Sequence, residues 1–212
     1  PQGGRNRKCA MFIQTEDTPN PLSMKFIADR AVLGLDSSGR PAVGVDFPNE
    51  ETAKISPLAA ALFAIDGVSG VFLGPDFVTV TKAEGVDWAH IKPQVLGAIA
   101  DLLTAGVPVI DKAAAAARPA RKAATSIDDY EGDDREIVEQ IIDLIDTRVR
   151  PAVAADGGDI AFQHWEPRTG VVFVSLHGSC SGCPSSTMTL KAGIENMLKH
   201  YVPEIAKVEA VA

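Results

Sequence analysis

Two small α+β domains joined by a flexible linker are the fold class that the sequence predicts, on three observations. Strand-like and helix-like periods alternate through residues 11–104 and again through 133–212. Between them, residues 105–132 hold an alanine-rich run, a proline and clustered charges without a core-forming pattern. The 212 residues, 46% hydrophobic and 23% charged, suffice for two cores.

Residues 1–10 (PQGGRNRKCA) are glycine-rich and basic and are expected to form a disordered tail. They lack the apolar stretch of a secretory signal. Met11 opens the first strand pattern and is either the natural start or the residue after the remnant of an arginine-rich presequence. Cys9, in this tail, is expected to be a silent thiol.

In the first domain, 11–104, residues 11–14 read as a short strand and Thr18-Pro19-Asn20-Pro21 as a turn. Residues 22–28 read as a strand in which Met24 and Phe26 alternate with Ser23 and Lys25. Residues 34–55 are turn-rich and give no assignment. Ser56-Pro57 supplies a cap and a first-turn proline for a helix to Ile65, which Gly67 ends. The β-branched runs 68–73 and 77–81, around Gly74-Pro75-Asp76, form a hairpin. A further helix is expected from Asp87 to about Thr104, with Pro93 a candidate for its true first turn. This domain holds no cysteine and one histidine, His90, so its expected role is recognition.

In the second domain, 133–212, Ile137, Val138, Ile141, Ile142, Ile145 and Val149 make one apolar helix face. Pro151 is expected to kink or end that helix. Asp156-Gly157-Gly158-Asp159 is a sharp turn, and 160–165 pairs with 171–176 as a hairpin. Leu190, Ile194, Met197, Leu198 and Tyr201 then take up a helical period, and 208–211 is a last strand. The order is α-β-β-α-β.

The chemistry concentrates at the hairpin's exit. Two of the three cysteines, Cys180 and Cys183, are spaced so that both sulfurs face one point, on a tight loop that feeds a helix N-terminus. Free backbone N–H groups and the helix dipole there favour thiolate over thiol. Gly182 permits close approach, Pro184 stiffens the exit, and Ser185 or Ser186 can cap the helix. Four readings fit this pair. A structural zinc site needs two more ligands, and His164, His177 and His200 lack the spacing of a zinc module. A thioredoxin-like dithiol would make the protein a thiol–disulfide oxidoreductase, but too little chain follows the motif to complete such a sheet. Two idle buried cysteines would leave the flanking Ser-Gly-Pro-Ser without purpose. A [4Fe–4S] cluster takes four thiolates, so two chains would share one.

A net charge of −8 without a basic stripe beyond the tail argues against nucleic acid and anionic membrane surfaces as partners. The longest apolar run, 57–65, is too short to span a bilayer. Three cysteines make no disulfide framework. The expected compartment is therefore reducing: the cytoplasm, or the mitochondrial matrix if the source is eukaryotic.

The run 150–159 (RPAVAADGGD), followed by 178–191 (GSCSGCPSSTMTLK), resembles the C-terminal domain of NifU-type proteins. Residues 11–16 (MFIQTE) and 18–21 (TPNP) resemble the N-terminal domain of the Nfu subgroup. The resemblance implies a non-enzymatic carrier with a [4Fe–4S] cluster bridging a homodimer. Its ligands would be Cys180 and Cys183, its donor the upstream cluster assembly machinery, and its acceptors apo iron–sulfur client proteins. Longer NifU proteins also have a cysteine-rich scaffold domain and a ferredoxin-like domain, and this sequence carries the cysteines of neither. Asp156 and Asp159 read as turn residues and not as an acid–base pair. His177, three residues before Cys180, reads as a strand-end residue that could modulate the cluster.

Overall fold

The computed structural model describes residues 11–35, 39, 41–111, 127–179 and 184–211, and of 184–187 and 189 the backbone alone. It holds two mixed helix–sheet units, as the sequence predicts. In the first, strands β1 (Ile13–Asp17), β2 (Ser23–Ala28), β3 (Val45–Phe47), β4 (Val68–Leu73) and β5 (Phe77–Lys82) form an antiparallel sheet in the order β1-β2-β5-β4-β3. Helices α1 (Glu50–Ala53), α2 (Pro57–Phe63) and α3 (Trp88–Ala105) bury Ala53, Leu58, Leu62, Ile91, Val95 and Ile99 in one core with Phe26, Val78 and Val80 of the sheet.

Local signals decide several boundaries. The Ser56 hydroxyl accepts from the Ala59 N–H at 3.0 Å and caps α2, with Pro57 in the first turn. Asp87 caps α3, and Gly106 ends it in the left-handed region at φ 68°. Pro93 lies inside α3 and not at its start. The unassigned 34–55 stretch yields β3, an edge strand of three residues, and α1, capped by the Asn49 side chain.

In the second unit, α4 (Asp133–Leu144), one π-helical turn (Ile145–Val149) and α5 (Arg150–Ala155) run on without a break. Pro151 neither ends the helix nor interrupts an α-helical ladder: it falls in the first turn of α5, where a proline loses no α-type bond. Strands β6 (Gly158–Glu166) and β7 (Val171–Gly178) pair antiparallel, with a bulge between Phe162 and His164. Helix α6 (Pro184–Tyr201) then crosses over to β8 (Lys207–Val211), which pairs parallel to β7. The core joins Val138, Ile141, Val149, Ile160, Trp165, Val172, Ile194 and Val208. The Glu195 side chain of α6 accepts from the Val208 N–H at 3.1 Å and fastens β8 beneath the helix.

Tyr130, in the stretch read as linker, is buried in this second core. Its hydroxyl donates to the Trp165 carbonyl and accepts from the Trp165 N–H, each at 2.9 Å. A short 3-10 turn, Ile127–Asp129, leads into it, so the second unit takes hold of the chain before residue 133. Residues 112–126 of the linker lie outside the described residues, while 105–111 stay with the first unit, the Asp111 N–H donating to the Ile55 carbonyl at 2.8 Å.

Candidate functional site

Cys180 and Cys183 lie outside the described residues, between the end of β7 and the first residue of α6. Both ends of that loop are described, and its root is fixed by dense packing. Gly178 has φ 69°, and a Cβ there would stand 2.7 Å from the Gly157 carbonyl oxygen and 3.0 Å from the Gly158 Cα. Only glycine fits this approach without moving backbone. The Ser179 N–H donates to the Gly157 carbonyl at 3.3 Å, and the Ser179 hydroxyl donates to the Asp156 carbonyl. The Asp-Gly-Gly-Asp turn therefore backs directly onto the strand end that launches the cysteine loop.

The first unit reaches the same point. The Thr79 hydroxyl of β5 donates to the Gly157 carbonyl at 2.7 Å, and the Lys25 ammonium of β2 to the Ala155 carbonyl at 3.3 Å. The Asn20 amide donates to the Ser179 carbonyl at 3.5 Å, and the Gly44 N–H to the Asp159 carboxylate at 2.9 Å. These four contacts join the cysteine-free domain to the base of the loop. Gly157, at φ 79°, leaves room for the side chains of Thr79 and Thr18, which a Cβ would meet at 2.9 and 3.2 Å.

Asp159, read as a turn residue, is 5% exposed. Its carboxylate pairs with the Arg150 guanidinium at 3.1 Å and also accepts from its own Ile160 N–H and from Gly44. Arg150 pairs in addition with Asp146 at 3.0 Å. The buried carboxylate thus has a charged partner and two N–H donors. Asp156 contributes its backbone carbonyl to the loop root.

His177 is buried, and its Nε2 lies 3.0 Å from the Ser175 hydroxyl, which in turn accepts from the Gln163 amide at 2.8 Å. This chain runs along the sheet and ends two residues before the cysteine loop begins. His164 is occupied elsewhere, its Nδ1 2.9 Å from the Tyr130 hydroxyl and its ring stacked on Phe173. His200 is on α6, edge-on to Tyr201. The three histidines weighed as zinc ligands are thus not brought together, and the described residues hold no group of three or more His, Cys, Asp or Glu placed to bind a metal ion.

Asn20, Lys25, Thr79 and Gly157 are the site-supporting residues that sequence reading passed over. One signal for them was present: paired glycines at 157 and 158, where backbone approaches backbone.

Comparison with known proteins matches residues 13–106 to the family described as "Scaffold protein Nfu/NifU N terminal" and residues 141–209 to "NifU-like domain". A Drosophila erecta protein named NFU1 iron-sulfur cluster scaffold homolog, mitochondrial, is 48% identical over 100% of this chain and 68% of its own. The Drosophila sechellia protein of the same name is 48% identical over 95% of this chain and 65% of its own. NifU-like protein 4, mitochondrial, of Arabidopsis thaliana is 47% identical over 98% of this chain and 68% of its own. This chain thus spans about two thirds of the length of these relatives. A solution structure of a NifU-like protein from Saccharomyces cerevisiae aligns with 53% of this chain and 93% of that one, at 27% identity and TM-score 0.44.

Proposed function

The chain belongs to the Nfu/NifU family, and from that membership we propose that it carries an iron–sulfur cluster and hands it to apo-proteins. One observation carries the reading: the Cys180–Cys183 pair falls at a strand-to-helix junction whose root is packed and hydrogen-bonded against the backbone of residues 156–158. A rigid root with two thiolates at a helix N-terminus suits ligands that must hold an anionic cargo and release it intact. The names of the mitochondrial relatives favour the mitochondrial matrix over the cytoplasm as the compartment.

The cargo is a [4Fe–4S] cluster. Each chain offers two thiolates and the cluster has four iron corners, so two chains share one cluster and leave no iron bare. An acceptor's cysteines then displace Cys180 and Cys183 one at a time, thiolate for thiolate, without net oxidation or reduction. Ser175 and the buried His177 stiffen the strand behind the loop and take no part in ligation. The first domain recruits acceptors and donor, and the linker keeps them at about millimolar effective concentration near the cluster.

Anaerobic reconstitution with iron and sulfide tests this. The wild type and Cys9→Ser should take up close to four irons per two chains, with sedimenting mass doubling on loading, while Cys180→Ser and Cys183→Ser should each lose stable binding. A fully loaded chain that stays monomeric, or a Cys9 variant that fails to load, would overturn the assignment. Reversible dithiol titration without uptake of iron would point instead to a thiol–disulfide oxidoreductase. Mössbauer spectroscopy of anaerobically isolated protein distinguishes [4Fe–4S] from [2Fe–2S].

A further inference from the structure

A cleft of about 670 Å³ opens between the two units and is lined in part by Gly158 and Asp159. Volumes of about 300–1,000 Å³ are usual for ligand sites. Its lining is mainly apolar: Pro41, Pro75, Ile142 and Pro151 are its accessible apolar residues, with the buried rings of Phe72 and Phe77 behind them. One wall is a single stripe of α4 and the turn that follows it, where Glu139, Asp143 and Asp146 recur at i, i+4 and i+7. With Asp159 these make four lining carboxylates against one lining guanidinium, that of Arg150, which is already committed to Asp146 and Asp159. Glu139 and Asp143 are solvent-exposed; Glu139 pairs with Arg135 on its own helix at 3.1 Å, a pair open to solvent on both sides, and Asp143 has no ion pair among the described residues.

We propose that this cleft docks a segment of a partner protein that combines arginine or lysine with aliphatic side chains. Apolar walls select aliphatic groups, and the exposed carboxylates of Glu139 and Asp143 select cations and repel phosphates. A second copy of this chain, at net charge −8, is a poor match for the rim. The chain's own cationic run, Arg118-Pro119-Ala120-Arg121-Lys122, has the charge but no large aliphatic group to cover the apolar walls. The inference is independent of the cluster, because no lining residue is a cluster ligand.

Fluorescence anisotropy on the full apo chain tests it, with a labelled decapeptide of alternating leucine and arginine as the probe. Saturable binding at one peptide per chain is expected, with a leucine–glutamate peptide and an arginine–serine peptide binding far more weakly. Glu139→Gln with Asp143→Asn should weaken binding about fivefold, the scale of two exposed ion pairs. Thr147→Trp, an exposed change that fills the cleft, should abolish it while circular dichroism stays unchanged. Asp101→Asn with Glu204→Gln, exposed carboxylates outside the cleft, should leave it unaltered. Equal loss in that control pair, no saturation, or equal binding of either comparison peptide would refute the proposal. A tenfold or greater gain when Arg118, Arg121 and Lys122 become serine would also refute it, by showing that the chain's own segment is the occupant.

Discussion

The two sheets of this protein use their faces differently. The five-stranded sheet is covered on both sides. Met24, Phe26, Val78 and Val80 face its helices, while Ser23, Lys25, Phe72, Phe77 and Thr79 are buried on the other side. An antiparallel sheet commonly turns one face to water, and the polar residues alternating in β2 suggest that here as well. The three-stranded sheet keeps that pattern over half its length: Val172 and Val174 face the core, and the opposite face is half-exposed at His164 and Phe173 but buried at Asp159, Ser175 and His177, nearest the loop root. The difference shows what the first unit's extra face is for. A row of cross-strand partners, Lys25–Thr79–Phe72, forms a polar and aromatic platform, and the root of the cysteine loop rests on it.

The largest test is at the root itself. Gly178→Ala puts a Cβ into backbone at 2.7 and 3.0 Å, with a positive φ that alanine resists. We expect a loss of about 2–4 kcal/mol in urea unfolding. Gly193→Ala, on α6 with nothing within 4 Å of the new Cβ, should instead gain about 0.5–1 kcal/mol. Equal midpoints for the two variants would mean that the root is not tightly packed.

Asp159→Ala should follow, at about 2–3 kcal/mol, because it removes the buried one of Arg150's two carboxylate partners and leaves the Gly44 N–H without its acceptor. Gly44 belongs to the first unit and Asp159 to the second. Amide exchange at Gly44 should therefore speed up with the mutation. Unchanged exchange there would separate the two sheets and undo the comparison.

Thr79→Val removes a donor to the Gly157 carbonyl but keeps the side chain's shape. That carbonyl retains the Ser179 N–H, so the expected cost is about 1 kcal/mol. A cost near zero would make the platform a passive contact.

Sequence reading reached the elements whose signals are local. Ser56 and Pro57 mark α2, the Gly74-Pro75-Asp76 turn marks the β4–β5 hairpin, and the isoleucine stripe marks α4. It missed β3, because three residues at a sheet edge carry no period. Pro151 was ambiguous because a proline breaks an α-helix in mid-run but is welcome in a first turn, and the π turn before it is not legible locally. The cysteine pair stood out from its spacing and its helix. The platform beneath it did not, since Gly44 with Asp159 and Thr79 with Gly157 are 115 and 78 residues apart in the chain. Nothing in a turn sequence names such a partner.

The smallest expected effect concerns the second sheet's edge, where surface charge adds to the backbone ladder and the buried Val208 in holding β8. Glu209 lies between Lys207 and Lys191, the latter at 2.9 Å. The hydrogen bond from Lys207, and next that from Lys191, hold its carboxyl down at about 2, well below the ordinary 4.5. A carboxylate with a lowered folded-state value stabilises the fold above the unfolded value, and that contribution fades as the pH falls from 4.5 toward about 2. Lys207 is raised by the same bond, so its share is present below 10.5 and fades only in strong alkali. The network is on the surface and is screened by salt, so its removal should shift the urea midpoint less than Thr79→Val does. Carboxyl carbon shifts followed by NMR should place the Glu209 midpoint near 2. Lys207→Met should raise it more than Lys191→Met, in the order of the two bonds. A Glu209 that titrates at its ordinary value, or a Lys207→Met variant that costs more stability than Thr79→Val, would mean that surface charge and not the buried platform distinguishes the two sheets.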